Sequence, residues 1–261
     1  MKKVFVELLI LLGIGGILWA IFALVIKLPE RPTLISAETE KAIGSKMYNQ
    51  ILEMNGYEAI NNQIIDSILL ATEDSLMANL PNSQFTYNIS IVNSETVNAF
   101  ALPGGYIIIT KKMVQLCDTP EELLSVICHE IGHIEKRHVI TRLVKEIGLK
   151  LLTSNDSYVS GEIARQLLSQ KFNRSQEEEA DMFSCSLMLK MGLEPRTLAT
   201  VFRKLKEQNS NNELQNFELI SSHPNLDKRI SYVLAYKIPH NFKAQKSSLN
   251  LNLLKEEISN N

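Results

Sequence analysis

This chain of 261 residues is short of cysteine and has no excess of either charge. Its three cysteines, Cys117, Cys128 and Cys185, are too few for a disulfide framework and lack the C-x-x-C spacing of a zinc ribbon. A bridge between Cys128 and Cys185 in an oxidising compartment stays open, beside the simpler interpretation that both are small buried residues. The formal net charge of −2 and the lack of a basic stripe argue against nucleic acid as the main partner.

Charge is also missing from a long stretch near the N-terminus. Residues 8–26 contain no charged side chain, which is close to the roughly 20 apolar residues that cross a bilayer. No small-x-small cleavage site follows, so we predict an uncleaved single-pass anchor over residues 1–28 rather than a cleaved signal peptide. Lys2 and Lys3 favour a cytoplasmic N-terminus, which puts the rest of the chain on the extracytoplasmic side, the periplasm in a bacterium.

One stretch, TPEELLSVICHEIGHIEKRHVI over residues 119–140, has the spacing of a metal site. On a helix, His129 and His133 project from the same face and can hold one small cation. Glu130 lies about 100° round the helix, where a carboxylate can meet a metal-bound water. This is the H-E-x-x-H arrangement of zinc peptidases, and it predicts one Zn²⁺ per chain.

The residues round this motif predict the helix that it needs. Thr119 is a suitable N-cap, Pro120 suits the first helical position, and Glu122 would complete a capping box. Apolar residues recur at three- and four-residue steps: Leu123, Leu124, Ile127, Ile131 and Ile134. The alternative, a buried amphipathic helix with incidental histidines, leaves the ligand spacing unexplained.

A small sheet is predicted before the motif helix, and further helices on both sides of it. Residues 36–54 and about 62–80 have helical periodicity, residues 85–91 alternate as a half-buried strand, and residues 97–110 predict a strand, a Gly-rich turn and a second strand. Later helices are expected over 136–150, 162–172, 173–191, 196–208 and up to about 234. The predicted organisation is an anchor over 1–28, a linker over 29–35, one domain over 36–240 and a loosely ordered tail over 241–261.

Two histidines leave a catalytic zinc site one protein ligand short. The pattern H-E-x-x-H-x-x-G-x-x-H is excluded, because Lys136 and Val139 stand where it needs glycine and histidine. His138 lies about 180° from His129 on a continuous helix, so it is predicted to face away from the metal.

A carboxylate from the acidic run at residues 177–179 is the remaining source of a third ligand. Glu177 is followed four residues later by Asp181, on the same helical face. Asp181 could accept the second N–H of His129 and fix its tautomer. We therefore predict Glu177 as ligand and Asp181 behind His129; the alternative is that the glutamates form a solvated face.

Four motifs in this order resemble one family. They are residues 98–105 (NAFALPGG), the H-E-x-x-H helix, R-x-x-E-x-x-A-D over residues 174–181, and His223-Pro224 followed by Arg229-Ile230. The chain from about 36 to 236 is similar to the gluzincins that include CAAX prenyl endopeptidases, HtpX-like membrane proteases and periplasmic quality-control proteases. Asn173 and Glu178 depart from the family pattern but touch no proposed ligand.

The resemblance implies an α+β, mainly α, zincin-like metallopeptidase domain in which Glu177 is the third zinc ligand. Glu130 would act as the general base. His223 has three open interpretations: an oxyanion donor, a residue that blocks the zinc, or a packing residue.

The strand beside the metal is expected to take an extended substrate as an additional strand. The candidate substrate-binding residues are Asn98, Ala99, Phe100, Gly104 and Gly105. The predicted function is a membrane-anchored zinc metalloendopeptidase acting on misfolded or unassembled envelope proteins. The alternative is a chaperone-like or proteolytically silent zinc-binding protein that captures unfolded chains.

Overall fold

The computed structural model describes most of the chain from Ile35 onward. The described residues are 35–54, 56–148, 171–210, 219 and 223–260, with Gly13, Gly15, Gly16 and Trp19. The chain divides into two compact units, Met1–Ile35 and Ser36–Asn261. Among the described residues, no helix has both the length and the apolar character needed to cross a bilayer. The predicted anchor lies almost entirely outside them, as does most of the helix predicted over 162–172.

Over its described residues, the second unit is mainly helical with one small sheet, as predicted. Its elements are α1 (Ala37–Leu52), α2 (Gln63–Ala78), β1 (Asn88–Val92), β2 (Ala99–Ala101), a 3₁₀ turn (Pro103–Gly105), β3 (Tyr106–Thr110), α3 (Lys111–Leu116), α4 (Pro120–Glu135), α5 (His138–Ile147), α6 (Arg174–Lys190), α7 (Thr197–Ser210), α8 (Leu226–Leu234) and α9 (Leu251–Ser259). The sheet order is β1-β3-β2, with β1 parallel and β2 antiparallel to β3. β2 therefore lies at an edge of the sheet.

The Gly-rich turn between β2 and β3 packs tightly against its own chain. Gly104 and Gly105 have φ angles of 76° and 105°, which favour glycine. A Cβ on Gly104 would lie 2.3 Å from Cα of Lys41, and one on Gly105 would lie 2.1 Å from the carbonyl oxygen of Thr86. Close packing is a sufficient reason for glycine at both positions, and the predicted substrate contact stays a prediction.

The motif helix α4 begins as predicted, but its capping box is incomplete. The Thr119 side chain accepts a hydrogen bond from the backbone N–H of Glu122 at 3.3 Å. The Glu122 carboxylate instead accepts from the N–H of Asp118 at 2.7 Å and from the Lys204 ammonium at 2.5 Å. The lysine from α7 holds this carboxylate away from the cap.

Helix α4 ends at Glu135, whereas the predicted orientation of His138 assumed a helix that is continuous from the motif to His138. Arg137 has φ 55° and ψ 30°, a left-handed conformation that interrupts the helix, and α5 restarts at His138. The guanidinium of Arg137 donates to Glu40 Oε2 from Nε at 2.9 Å and from Nη2 at 2.6 Å. This pairing with buried Glu40 of α1 stabilises a conformation that arginine rarely adopts.

The C-terminal segment contains helix α9 (Leu251–Ser259), which departs from the loosely ordered tail predicted over 241–261. Leu251, Leu254 and Ile258 of α9 are buried and share one helical face. The Asn250 side chain caps α9 by accepting from the N–H of Leu253 at 3.1 Å. The polar composition of the segment concealed this narrow apolar stripe.

The three cysteines are buried and none forms a disulfide. Burial raises the pKa of both Cys117 and Cys185 to about 12. The structure therefore favours small buried residues over the Cys128–Cys185 bridge.

Helices α4 and α6 approach closely at Gly132. A Cβ on Gly132 would lie 2.9 Å from Cα and 3.0 Å from the carbonyl oxygen of Ala180. Ala180 is itself small and fully buried. The contact brings Glu177 and Asp181 of α6 alongside the histidines of α4.

Gly132→Ala should destabilise the protein by about 1–3 kcal/mol, because the added methyl group overlaps the α6 backbone. In a helix without this contact, the same change would stabilise by roughly 0.5–1 kcal/mol. Urea denaturation measures the free energy of unfolding and shows whether Gly132→Ala stabilises or destabilises the protein. Equal or greater stability of the variant would contradict the close packing of α4 on α6.

Candidate metal centre

Four buried side chains converge at one point of the fold. His129 and His133 lie on α4, Glu177 lies on α6, and His223 precedes α8. Each offers one potential ligand atom, and these atoms lie within 4.8 Å of one another. The helix spacing explains the histidine pair, and the contact of α6 with α4 explains the third residue.

The distances within this cluster fit a small cation. Nε2 of His133 lies 3.1 Å from Nε2 of His129, and Glu177 oxygens lie 3.6 Å and 3.7 Å from the two nitrogens. Nδ1 of His223 lies 3.4 Å from Nε2 of His129 and 2.9 Å from Oε1 of Glu177. Ligands bonded tetrahedrally to zinc at about 2.0–2.1 Å stand about 3.4 Å apart. The residues therefore fit zinc in donor type and in spacing.

The protonation of His133 and Glu177 also suits a cation. Burial, and then the charge of His129, lower the pKa of His133, so that its ring is neutral and has a lone pair to offer. Burial alone would raise the pKa of Glu177, but the charges of His223 and Arg229 outweigh it and lower that pKa. Glu177 is therefore ionised despite its burial.

Glu130 lies beside the cluster with its carboxylate fully buried. Neither oxygen makes a hydrogen bond of normal geometry, and Oε1 lies 3.8 Å from Nε2 of His223. Burial raises its pKa, although the charges of His223 and His129 oppose this, and the backbone amide of Ala101 opposes it weakly. A raised pKa and an uncommitted carboxylate suit a group that accepts and returns a proton.

Asp181 stands behind His129, where the sequence predicted it. Its Oδ1 lies 2.8 Å from Nδ1 of His129, which leaves Nε2 of that ring directed into the cluster. Burial alone would raise the pKa of Asp181, but the Arg229 guanidinium and then His129 hold it well below its usual range.

Arg229 is a central residue of the site that sequence reasoning missed. It donates from Nε and Nη2 to the two oxygens of Asp181 at 2.8 Å and 2.7 Å, and its Nη1 lies 2.7 Å from Glu177 Oε2. Nη1 also lies 3.2 Å from the backbone carbonyl oxygen of His223. One cation thus neutralises two buried carboxylates and holds the His223 segment. The position of Arg229 shortly after His223-Pro224 in the family motif is the feature of the sequence that could have identified it.

Two further side chains that the sequence did not single out lie behind His133, one stacked on its ring and the second on the ring of the first. The Phe172 ring stacks on the His133 ring with 3.8 Å between centroids and 23° between planes. The guanidinium of Arg142 lies 4.2 Å from the centroid of Phe172. Phe172 lies just before α6, and its spacing from the H-E-x-x-H motif does not connect it with a metal site.

His138 does not face away from the centre, and that prediction is wrong. It is buried, and its Nδ1 lies 3.0 Å from Nδ1 of His133. The left-handed Arg137 turns the chain back, so the helical wheel that excluded His138 does not extend to it.

The edge strand β2 contacts α4 beside Glu130. Leu102 donates its N–H to the carbonyl oxygen of Tyr106 on β3 at 2.8 Å. Because hydrogen-bonding direction alternates along an antiparallel strand, Ala101 and Ala99 direct their backbone groups away from β3. The side chains of Asn98 and Phe100 are buried in the fold.

Comparisons with known proteins agree with this geometry. The model of Peptidase family M48 matches residues 61–237. The Beta-barrel assembly-enhancing protease of Yersinia pestis is 26% identical over 218 residues, covering 76% of this chain and 43% of that protein. The Mitochondrial metalloendopeptidase OMA1 of Saccharomyces cerevisiae is 25% identical over 217 residues, covering 75% of this chain and 63% of the relative. Metalloprotease LoiP of Escherichia coli is 27% identical over 175 residues, covering 63% of this chain and 68% of the relative.

The chain spans less than two thirds of the length of the first two of these relatives. The family match, by contrast, covers more than half of this chain and includes every residue of the metal centre. With the H-E-x-x-H helix and the converging carboxylate, it shows that the chain belongs to Peptidase family M48.

Proposed function

We propose that this protein is a zinc-dependent endopeptidase that hydrolyses peptide bonds in extended polypeptides. The observation that carries the proposal is the convergence of His129, His133 and Glu177 beside Glu130, whose buried carboxylate makes no hydrogen bond of normal geometry. A purely structural zinc site would give Glu130 no role that offsets the cost of burying it.

His129 Nε2, His133 Nε2 and the Glu177 carboxylate would hold the zinc. When bound, zinc supplies Lewis-acid polarisation of a carbonyl group and lowers the pKa of a coordinated water. Glu130 takes a proton from the water that attacks the scissile carbonyl carbon, and then gives it to the nitrogen of the departing amine. The pKa of Glu130, raised by burial, brings it closer to that of a base working near neutral pH.

Asp181 and Arg229 act on the ligands. Asp181 accepts the Nδ1 proton of His129 and so keeps Nε2 as the ligand atom. Arg229 compensates the charges of Asp181 and Glu177, which would otherwise repel each other in a buried site.

The backbone groups of Ala99 and Ala101, which point away from β3, offer the edge to which an extended substrate adds as a further strand, and the Ala101 amide lies towards Glu130. This places its scissile bond near Glu130, because β2 contacts α4. This strand pairing recognises the backbone of the substrate rather than its side chains. It therefore favours unfolded or unassembled polypeptides over folded ones.

The remaining features support a location at a membrane. Residues 1–28 anchor the chain, with the catalytic unit on the extracytoplasmic side, because residues 8–26 carry no charge and two lysines precede them. The name of the Yersinia pestis relative connects that protein with β-barrel assembly. Misfolded or unassembled envelope proteins are therefore the substrate class that we propose for this chain.

His223 supports a closed resting state of the same site. Its Nδ1 lies among the ligand atoms, and a fourth protein ligand fills the position that catalytic zinc sites keep open. Substrate entry would then require His223 to leave the cluster, after which the residue is free to act on the oxyanion.

Glu130→Gln in the full-length chain should retain about one zinc and lose cleavage of unfolded casein by about 10²–10⁴-fold, because the amide cannot accept the proton. Zinc content by atomic absorption and the cleavage rate are the measurements. Glu177→Ala is the matched comparison, and it should lose zinc as well as activity. Equal cleavage by Glu130→Gln and wild type would contradict the mechanism and favour a protein that captures chains without hydrolysing them.

Arg229→Met should reduce the free energy of unfolding by about 3–5 kcal/mol, since it leaves two buried carboxylates uncompensated. Adding Asp181→Asn should recover part of that loss. Arg203→Met on the exposed side of α7 is the control, and it should have little effect. A similar small effect of Arg229→Met in urea denaturation would show that Arg229 does not hold the site together.

His223→Ala should raise the cleavage rate at saturating zinc, because it removes the residue that fills the open position. The turnover number on a quenched fluorescent peptide tests this. A fall of the turnover number by tenfold or more would instead assign His223 to the oxyanion, where removing a donor costs about 10²–10³-fold.

A further inference from the structure

We propose that His138 is a positioning residue for the metal centre: it accepts the Nδ1 proton of His133 and thereby keeps Nε2 of His133 directed at the ion. The inference rests on the zinc site proposed above and assigns a role to a residue outside the ligand set.

The contact is short, buried and in the right place on the ring. Nδ1 of His138 lies 3.0 Å from Nδ1 of His133, and the two residues are 5% and 0% exposed. The Nε2 atom of His133, on the other side of the ring, is the atom that faces the cluster. The bond is thus made by the nitrogen that does not bind metal.

The chemistry of a ligating imidazole determines the direction of this bond. A neutral histidine that offers Nε2 to a metal carries its hydrogen on Nδ1. Two ring nitrogens 3.0 Å apart can share only one hydrogen, so His138 must present a lone pair at Nδ1 and carry its own hydrogen on Nε2. Oε2 of Glu179 lies 3.7 Å from His138 Nε2, and its negative charge favours this tautomer.

This arrangement gives both ligand histidines a partner at Nδ1. Asp181 occupies that position for His129 at 2.8 Å, and His138 occupies it for His133 at 3.0 Å. Phe172 stacks on the face of the His133 ring, so it limits tilting, while the hydrogen bond limits rotation in the ring plane. The two contacts restrict different motions of one ligand.

The backbone before His138 makes the contact possible. On a continuous helix, the residue five positions after His133 would lie about 140° round the axis and could not meet it. Arg137 in its left-handed conformation breaks the helix, and Glu40 of α1 holds that conformation. Such a conformation is unfavourable for a residue other than glycine, and it persists here at a site that brings His138 back to the ligand.

The test compares full-length wild type with His138→Leu, His138→Asn and His240→Leu. Zinc affinity is measured by competition with a chromophoric chelator, and unfolding of each metal-free variant is measured alongside. His138→Leu removes the acceptor and should weaken zinc binding by about 10–100-fold. The amide oxygen of asparagine can accept near the Nδ1 position, so His138→Asn should restore most of the affinity. His240 is exposed, and its replacement should leave the affinity unchanged.

A second measurement reads the hydrogen bond itself. In the zinc-loaded wild type, proton NMR should show two downfield imidazole N–H signals, from His129 towards Asp181 and from His133 towards His138. His138→Leu should shift one of them upfield.

Equal zinc affinity in wild type and His138→Leu, or equal weakening in His138→Asn and His138→Leu, would overturn the positioning role. If His138→Leu fails to fold, the zinc affinity of His138→Asn and the wild-type spectrum still test the positioning role. Each expected result depends on a hydrogen-bond acceptor at residue 138. If wild type itself does not bind zinc, the proposed function is rejected, and the inference with it. That result differs from zinc binding whose affinity is the same in wild type and in the variants at residue 138, which rejects the inference alone.

Discussion

The close approach of α4 and α6 at Gly132 and Ala180 is the contact on which the metal centre depends. Gly132 directly precedes His133, and Ala180 lies between Glu177 and Asp181. Because neither residue has a large side chain, the two backbones approach within van der Waals contact. One helix then supplies two imidazoles, and the other supplies both the Glu177 carboxylate of the candidate metal centre and the Asp181 carboxylate behind His129. A wider separation would break every one of these contacts together.

Such a site concentrates charge in the interior, and the fold compensates it locally. Arg229 bonds Asp181 in a bidentate manner and also reaches Glu177, while Tyr232 donates to Asp181 Oδ2 at 2.7 Å. Glu130 is the exception, since its oxygens are buried and make no bond of normal geometry. The carboxylates of Asp181 and Glu177, which position the site, have charged partners, whereas the carboxylate of Glu130, the proposed general base, has no hydrogen bond of normal geometry. Carboxylates with these two different roles therefore lie close together in the site. The two histidines of α4 follow the same division, with Nδ1 used for support and Nε2 directed at the cluster.

The features predicted from sequence are those that depend on local spacing. The pair His129 and His133, the cap at Thr119 and the four-residue step from Glu177 to Asp181 all follow from helix geometry, and the structure brings them together. What escaped prediction depends on contacts between distant segments. Arg137 takes a left-handed conformation because Glu40, 97 residues earlier, bonds it, and this reverses the orientation expected for His138. Arg229 meets Asp181 across 48 residues, and α9 becomes ordered by burying Leu251, Leu254 and Ile258 against the rest of the unit.

Zinc K-edge X-ray absorption of the purified protein can show whether a zinc ion is held by two imidazoles and a carboxylate. We expect a first shell of nitrogen and oxygen only, at about 2.0–2.1 Å, with the outer-shell scattering of at least two imidazole rings. A zinc–sulfur distance of about 2.3 Å would place the metal on cysteine and contradict the proposed centre.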